Sequence, residues 1–193
     1  MNINKHIMTT DEIREVPVPE FVGYYARSDG TIRLPTGKIQ TGSTSKTCIH
    51  RRVWAKKHYW RRSYAQLVHR LIALAFVHNP LPHVFTVVDH IDRNPWNNKP
   101  ENLRWVTTQM NSLNNSALGC FFSEDTGKWH ARVTVSGKVN IFGEYETKEI
   151  ATQEAKTYRE EAIRRLYKKH LDEAEEARTS VFRGRPADLS ASG

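Results

Sequence analysis

Turn-forming residues punctuate the first third of this chain so closely that it cannot be assembled from long elements. Between Phe21 and Tyr64, short β-prone runs at Phe21 to Ala26, Thr31 to Leu34 and Thr47 to Trp54 are separated by Ser28-Asp29-Gly30 and Pro35-Thr36-Gly37. Glycine takes the positive φ that turns require, and Asp and Ser bond their own backbone, so such clusters end strands rather than continue them. A meander of short antiparallel strands is predicted. The apolar share of the 193 residues is 38%, low for one large core, so several small polar modules are expected. Ahead of the meander, residues 1–20 read as a flexible leader ending in Val16-Pro17-Val18-Pro19, where two prolines favour extended backbone.

Beyond Tyr64 the periodicity changes. Leu67, Val68, Leu71, Ile72, Ala75 and Phe76 recur at helical spacing until Asn79-Pro80 and Pro82 stop them. Val84 to Val88 is predicted as a buried strand, Asp92 to Pro100 as a loop and Leu103 to Val106 as a second strand. Thr107 or Thr108 can then cap a helix running through Asn115. After Gly119, three strands near Cys120 to Ser123, Trp129 to Val135 and Val139 to Phe142 are separated by Asp125-Thr126-Gly127 and Ser136-Gly137. A helix from Thr147 to about Lys169 follows, and residues 170–193 read as fraying helix and disordered tail. The expected fold class is α+β in separate modules: an antiparallel β module at 21–64, a central strand-loop-strand-helix unit at 65–116, and a three-stranded sheet with a helix at 119–169.

The charge narrows the partners. Lys and Arg number 29 against 21 Asp and Glu, giving a net charge of +8 and a pI near 9.6. That excess suits an extended polyanion, with nucleic acid ahead of an acidic membrane surface. No run of about 18 apolar residues exists to span a bilayer. Met1 to Thr10 lacks the apolar core of a secretory signal, so a cytoplasmic protein is expected. Only Cys48 and Cys120 are present, too few for a four-cysteine site and better read as reduced thiols, so no structural zinc is expected.

Val87-Val88-Asp89-His90-Ile91-Asp92 sets a carboxylate beside an imidazole at a strand end, and Asn102 and Asn111 lie 12 and 21 residues beyond His90. Cutting a phosphodiester needs a base for water and a hard cation, held by oxygen ligands, for the phosphate and leaving alkoxide. Asp89 and Asn111 can supply such oxygens, and an imidazole of ordinary pKa, about 6.5, can take the proton. Adjacent strand side chains point to opposite faces, so Asp89 and His90 can serve one site only if a bend or the following helix joins them. Taken alone, Asp89-His90 is as well explained by a turn pair. Asn97, Asn98 and Asn114 suit turns and helix ends. Asn115, one helical turn beyond Asn111, is an alternate ligand, and His69 reads as a packed histidine of the first helix.

Val68-His69-Arg70-Leu71, Asp89-His90-Ile91-Asp92, Asn97-Asn98, Asn102-Leu103-Arg104-Trp105-Val106-Thr107 and Asn111 together resemble the HNH homing endonucleases of phage introns, over roughly residues 65–115. The resemblance implies a ββα-metal fold with His90 as general base, Asp89 and Asn111 on one divalent ion, Mg²⁺ or Mn²⁺, and Asn102 pinning the loop between the strands in support of catalysis. The third residue of the family motif is histidine in many members and is Asn111 here, similar to the asparagine variant of the phage enzymes. An amide oxygen favours a hard ion over zinc or nickel. The implied function is a site-specific double-stranded DNA endonuclease with no small-molecule substrate; one catalytic unit per chain predicts a nick by a monomer, and a double-strand break would need a dimer or two successive events. If encoded by a phage, it would work in the host cytoplasm.

Two flanking regions are suited to hold the DNA. Arg51, Arg52, Lys56, Lys57, Arg61 and Arg62 are interleaved with Trp54, Tyr59, Trp60 and Tyr64, a mix for phosphate neutralisation with aromatic support. Arg104, within the motif, is a further candidate DNA contact. Residues 16–37 are similar to the small β-rich modules that precede HNH domains. Gly127-Lys128-Trp129-His130-Ala131-Arg132-Val133, Phe142-Gly143-Glu144-Tyr145-Glu146-Thr147, Ala151 and Ala155 resemble the ethylene-response-factor (Apetala-two) DNA-binding domain of plants, which implies a sheet entering the major groove. By strand alternation Lys128, His130, Arg132 and Thr134 share one face, and Trp129, Ala131, Val133 and Val135 the other. Arg132 is the candidate base contact, because its fork matches the two major-groove acceptors of guanine. The rivals are a catalytically silent, sequence-specific DNA-binding regulator, which would be expected to have lost Asp89, His90 or Asn111, and an RNA-directed or unspecific defence nuclease, which has little need of a C-terminal reader.

Overall fold

A computed structural model describes residues 12–46, 48–114, 119–135 and 137–183, with side chains to Thr179. It is a mixed α+β fold of small antiparallel sheets and helices in two compact units, Met1–His78 with Val88–Trp105, and Asn79–Val87 with Val106–Gly193.

In the first unit, β1 (Glu15–Pro17), β2 (Tyr25–Arg27), β3 (Ile32–Arg33) and β4 (Ile39–Gln40) form a meander in chain order. Phe21 to Tyr24, expected as strand, is instead a turn region in which Phe21 N–H donates to Val18 O and Tyr24 N–H to Phe21 O, both at 3.1 Å. The Ser28-Asp29-Gly30 turn forms where predicted, with Asp29 Oδ1 accepting from the Thr31 N–H at 3.0 Å and the Thr31 hydroxyl at 2.6 Å. Gly30 has φ +84, and a Cβ there would stand 2.9 Å from the carbonyl carbon of Asn98. The turn therefore packs backbone against backbone at Asn98, which only glycine permits.

A second sheet joins β5 (Ser43–Ser45), β6 (Cys48–Ala55) and β7 (Tyr64–Leu67), and runs straight into α1 (Val68–Phe76). Helix α1 buries Val68, His69, Leu71, Ile72 and Ala73, and with Ala26, Ile32, Val53 and Ala55 these make the first core. A two-stranded sheet of β8 (Val87–His90) and β9 (Leu103–Val106), with a 3-10 turn at Pro100–Asn102 between them, completes the unit. The expected strand from Val84 begins only at Val87, because Val84 and Phe85 donate their N–H groups to Leu81 O at 2.9 and 2.8 Å in a turn, and Phe85 is fully buried in the second unit.

In the second unit, Phe85 stacks on Tyr167 with ring centroids 4.4 Å apart. Thr107 Oγ1 accepts from the Met110 N–H at 3.2 Å and so caps α2 (Thr108–Asn114). Asn115 lies outside the described residues. β10 (Cys120–Ser123), β11 (Lys128–Val135) and β12 (Lys138–Tyr145) form an antiparallel sheet whose central strand packs on α3 (Lys148–Arg183). Ala131 and Val133 are buried with Ala151, Ala155 and Ile163, while Arg132 and Thr134 face solvent, the division that alternation predicts. The register of β11 with β12 slips between Trp129 and Ala131, where Gly143 sits at φ +67. Helix α3 corrects an expectation: residues 170–183, read as fraying helix and tail, continue it to Arg183. Ala, Glu, Lys and Arg sustain a solvated helix by intrinsic propensity, with i,i+4 pairs such as Lys169–Glu173 at 3.6 Å adding to it.

Candidate active site

Strand β8 ends on two buried polar side chains, Asp89 at 5% and His90 at 6% exposure. Burying a carboxylate is costly unless it is paired. Arg104, across the sheet on β9, meets that cost with Nε at 2.9 Å and Nη2 at 2.8 Å from Asp89 Oδ2. The expected DNA contact at Arg104 is thus turned inward.

His90 Nε2 lies 3.0 Å from Oδ1 of Asn98, itself only 4% exposed. That amide oxygen can accept a hydrogen carried on Nε2. An imidazole fixed at a strand end in this way is a candidate proton acceptor.

The loop that delivers Asn98 is organised around Asp92 and Asn102. Asn102, 7% exposed, accepts from the Asp92 N–H at 2.9 Å and donates Nδ2 to Asp92 Oδ1 and to Asn97 O, each at 2.8 Å. Its carbonyl accepts from Ile91 at 2.8 Å. Asp92 also accepts from the Asn94 N–H at 2.7 Å and Asn97 Nδ2 at 2.8 Å. Desolvation works to raise the Asp92 carboxyl, but the hydrogen bonds from Asn97, the Asn94 backbone and Asn102 outweigh it and hold the group below its usual range. Asn102 thus makes no contact to a reacting group in the structure; it fixes the loop on which His90 leans.

Three histidines that sequence separation hides meet here. His50 of β6, His69 of α1 and His90 bring one ring nitrogen each within 4.8 Å of one another. Ring centroids are 5.0 Å apart for His50 and His69, 5.8 Å for His50 and His90, and 4.9 Å for His69 and His90. His69, a packed histidine as read from sequence, is 6% exposed with Nδ1 buried and without a hydrogen-bond partner. Burial first, then His90, His50 and Arg70, lowers its pKa to about 3; burial, His90 and Arg52 lower that of His50. His69 is therefore neutral at physiological pH.

A stability prediction follows from this depression. Unfolded, His69 binds a proton below about pH 6.5, whereas folded it stays neutral down to about pH 3, so acidification favours the unfolded chain. In EDTA, stability should fall by about 1.4 kcal/mol per pH unit from this residue as pH drops below 6.5. Urea midpoints measured across that interval should show His69→Gln losing part of the slope; an unchanged slope would remove His69 as its source.

The remaining candidates spread more widely. Asn111 lies on α2 in the second unit, half-buried, its N–H donating to Thr107 O at 3.0 Å. Arg51 stands 5.0 Å over the Trp96 ring, and Arg52 acts on His50 and Cys48. Lys56, Arg61 and Arg62 are exposed beside the exposed rings of Trp54, Tyr59 and Tyr64. Lys57, expected on phosphate, is instead ion-paired with Glu20 and lies over Phe21, Tyr59 and Trp60. In the second unit Lys128 pairs with Glu146 at 3.2 Å, His130 contacts Thr126 Oγ1 at 3.0 Å and stacks on Phe121, and Arg132 is exposed. The structure also brings His50, His69 and Asn98 to His90, which their sequence positions do not indicate; only the offset of eight between His90 and Asn98 lies within a local motif.

Comparison with known proteins agrees with the local reading. The chain is 33% identical over 99 residues to an uncharacterised HNH endonuclease of Acanthamoeba polyphaga mimivirus, covering 51% of this chain and 24% of that protein. It therefore spans about a quarter of that relative's length. A solved structure described as DNA binding and cleavage by the HNH homing endonuclease I-HmuI aligns over 74% of this chain and 82% of its own, at 24% identity and a TM-score of 0.45. A family model described as HNH endonuclease matches residues 66–113, so α1, the β8–β9 loop with Asp89, His90 and Asn102, and Asn111 all lie in the part of the chain that is similar to that family.

Proposed function

We propose that the protein is a site-specific, divalent-metal-dependent endonuclease of double-stranded DNA, with His90 as its general base. The observation that carries this reading is His90 itself: a buried imidazole in contact with buried Asn98, next to Asp89 on the same strand, within the segment matching HNH endonucleases.

Asp89 and Asn111 are the assigned holders of one hard cation, Mg²⁺ or Mn²⁺. Their carboxylate and amide oxygens are the hard donors such an ion takes, and it would compete with the Arg104 guanidinium for Asp89 Oδ2. When bound, the cation supplies charge stabilisation at the phosphate and leaving oxygen. The chain's own part is acid–base chemistry and positioning. His90 Nδ1 takes the proton of the attacking water while Asn98 keeps Nε2–H directed away, and Asn102 holds the loop in register. Residues 21–64 are assigned to phosphate contacts through Lys56, Arg61 and Arg62, with 65–116 as the nuclease module and 119–169 as the Apetala-two-like reader.

Arg132 is the assigned base contact of that reader. Its replacement by Ala should weaken discrimination at one base pair by about 1–3 kcal/mol, with cutting of a pre-bound site little changed. Selection from a randomised target library checks this; unchanged selectivity would refute the assignment.

A silent DNA-binding regulator remains the second reading, favoured by the Asp89–Arg104 pair, which occupies a carboxylate oxygen the cation would need. Mapping the ends of genomic fragments incubated with the protein and Mg²⁺ or EDTA separates the cases. Recurring ends in Mg²⁺ alone support the endonuclease, random ends an unspecific nuclease, and bound but uncut fragments the regulator.

A further inference from the structure

We propose that His50, His69 and His90 form a second cation site, taking a borderline d-block ion of the zinc class and distinct from the hard-cation site assigned to Asp89 and Asn111.

The geometry is close to that of a three-imidazole centre. An ion bound tetrahedrally at about 2.0–2.1 Å from three ring nitrogens sets the ring centroids about 5.2 Å apart. The three centroid separations, 4.9, 5.0 and 5.8 Å, bracket that value, and the converging nitrogens lie within 4.8 Å of one another. An ion there would draw the three nitrogens closer together than this, with the fourth position left to water. Imidazole prefers zinc, copper, nickel and cobalt to magnesium or calcium, so the two sites select by ligand chemistry.

A second observation is independent of ring spacing. His69 is 6% exposed, and its Nδ1 is buried with no hydrogen-bond partner. Buried polar atoms are nearly always satisfied, and an orphan among two other imidazoles is what a ligand lacking its ion looks like. Burial and the neighbouring rings hold His50 and His69 neutral, the form that ligates. On His90, Asn98 Oδ1 lies 3.0 Å from Nε2, an outer contact of the kind that supports a metal-bound histidine. Arg52 and Arg70 act on His50 and His69 and oppose a cation, which sets a moderate affinity.

Resting on the nuclease reading, one consequence follows: an ion on His90 takes the lone pair the base needs, so the zinc class should inhibit cutting in Mg²⁺. The binding claim stands apart from that activity and is tested first. Chelator-stripped full-length protein titrated with Co²⁺ should develop the visible absorption of a nitrogen-ligated tetrahedral ion, and Zn²⁺ should displace it with 1:1 stoichiometry. His50→Gln and His69→Gln should each weaken Zn²⁺ binding at least tenfold against a chromophoric chelator, while His58→Gln and Cys48→Ser should not. His50 is only half-buried, so its variant keeps the test open if His69→Gln does not fold, as circular dichroism would reveal. Absent Co²⁺ absorption, affinity unchanged by His50→Gln, or loss on Cys48→Ser instead would overturn the site. Zn²⁺ binding that depends on His50 in a protein that never cuts DNA would uphold the site and sink the nuclease reading alone.

Discussion

His90→Gln is expected to slow strand cleavage by about 10²- to 10⁴-fold, the usual contribution of a positioned general base. Glutamine approximates the length of the side chain and can still meet Asn98, but it has no nitrogen lone pair to accept a proton. The variant should bind DNA as the wild type does, because the assigned phosphate contacts at Lys56, Arg61 and Arg62 lie on other segments. Single-turnover cleavage beside a gel-shift titration separates the two effects. Equal loss of binding and cutting would point to a collapsed loop rather than a missing base.

Asn102→Ala is expected to destabilise the first unit by about 3 kcal/mol, and to reduce cutting through His90 rather than by contact. Its side chain makes three hydrogen bonds, to Asp92 N–H, Asp92 Oδ1 and Asn97 O, from a position only 7% exposed. Truncation leaves those partners unmet, at about 1–3 kcal/mol for each group that stays buried and less where water can enter. Urea unfolding gives the stability loss. A positioning role further predicts that excess Mg²⁺ and saturating DNA do not restore the rate, since the defect lies in Asn98 and the imidazole it orients. A variant as stable as wild type, with normal cutting, would show that the loop is held by other means.

What the sequence discloses about this chain is mainly local. The helical spacing of Leu67 to Phe76 and the stop at Asn79-Pro80 are chain-local physics, and α1 follows them. The same holds for the Asp29 turn, the Thr107 cap and the burial of Ala131 and Val133 between exposed Arg132 and Thr134. Asp89, His90 and Asn102 were legible because their motif spacing lies within one supersecondary unit. Long-range pairings were not: His50 and His69 come from β6 and α1, and nothing in their neighbours indicates that both meet His90. Local charge partners were not legible either: Arg104 and Lys57 read as phosphate contacts, and in the structure the first also pairs with buried Asp89 and the second with Glu20 beside an aromatic cluster. Phe85 shows the limit of apolar runs, since its place in a hydrophobic string predicts burial but not which core receives it.

The central claim, a metal-dependent DNA endonuclease that uses His90 as its base, is tested most directly on supercoiled plasmid. Wild type and His90→Gln are compared with Mg²⁺ and with EDTA, resolving nicked from linear product. The account predicts nicked circles from the wild type in Mg²⁺, none in EDTA, and almost none from the variant. Tight binding of DNA by the wild type with no scission in Mg²⁺ or Mn²⁺, or cutting by His90→Gln at the wild-type rate, would contradict it.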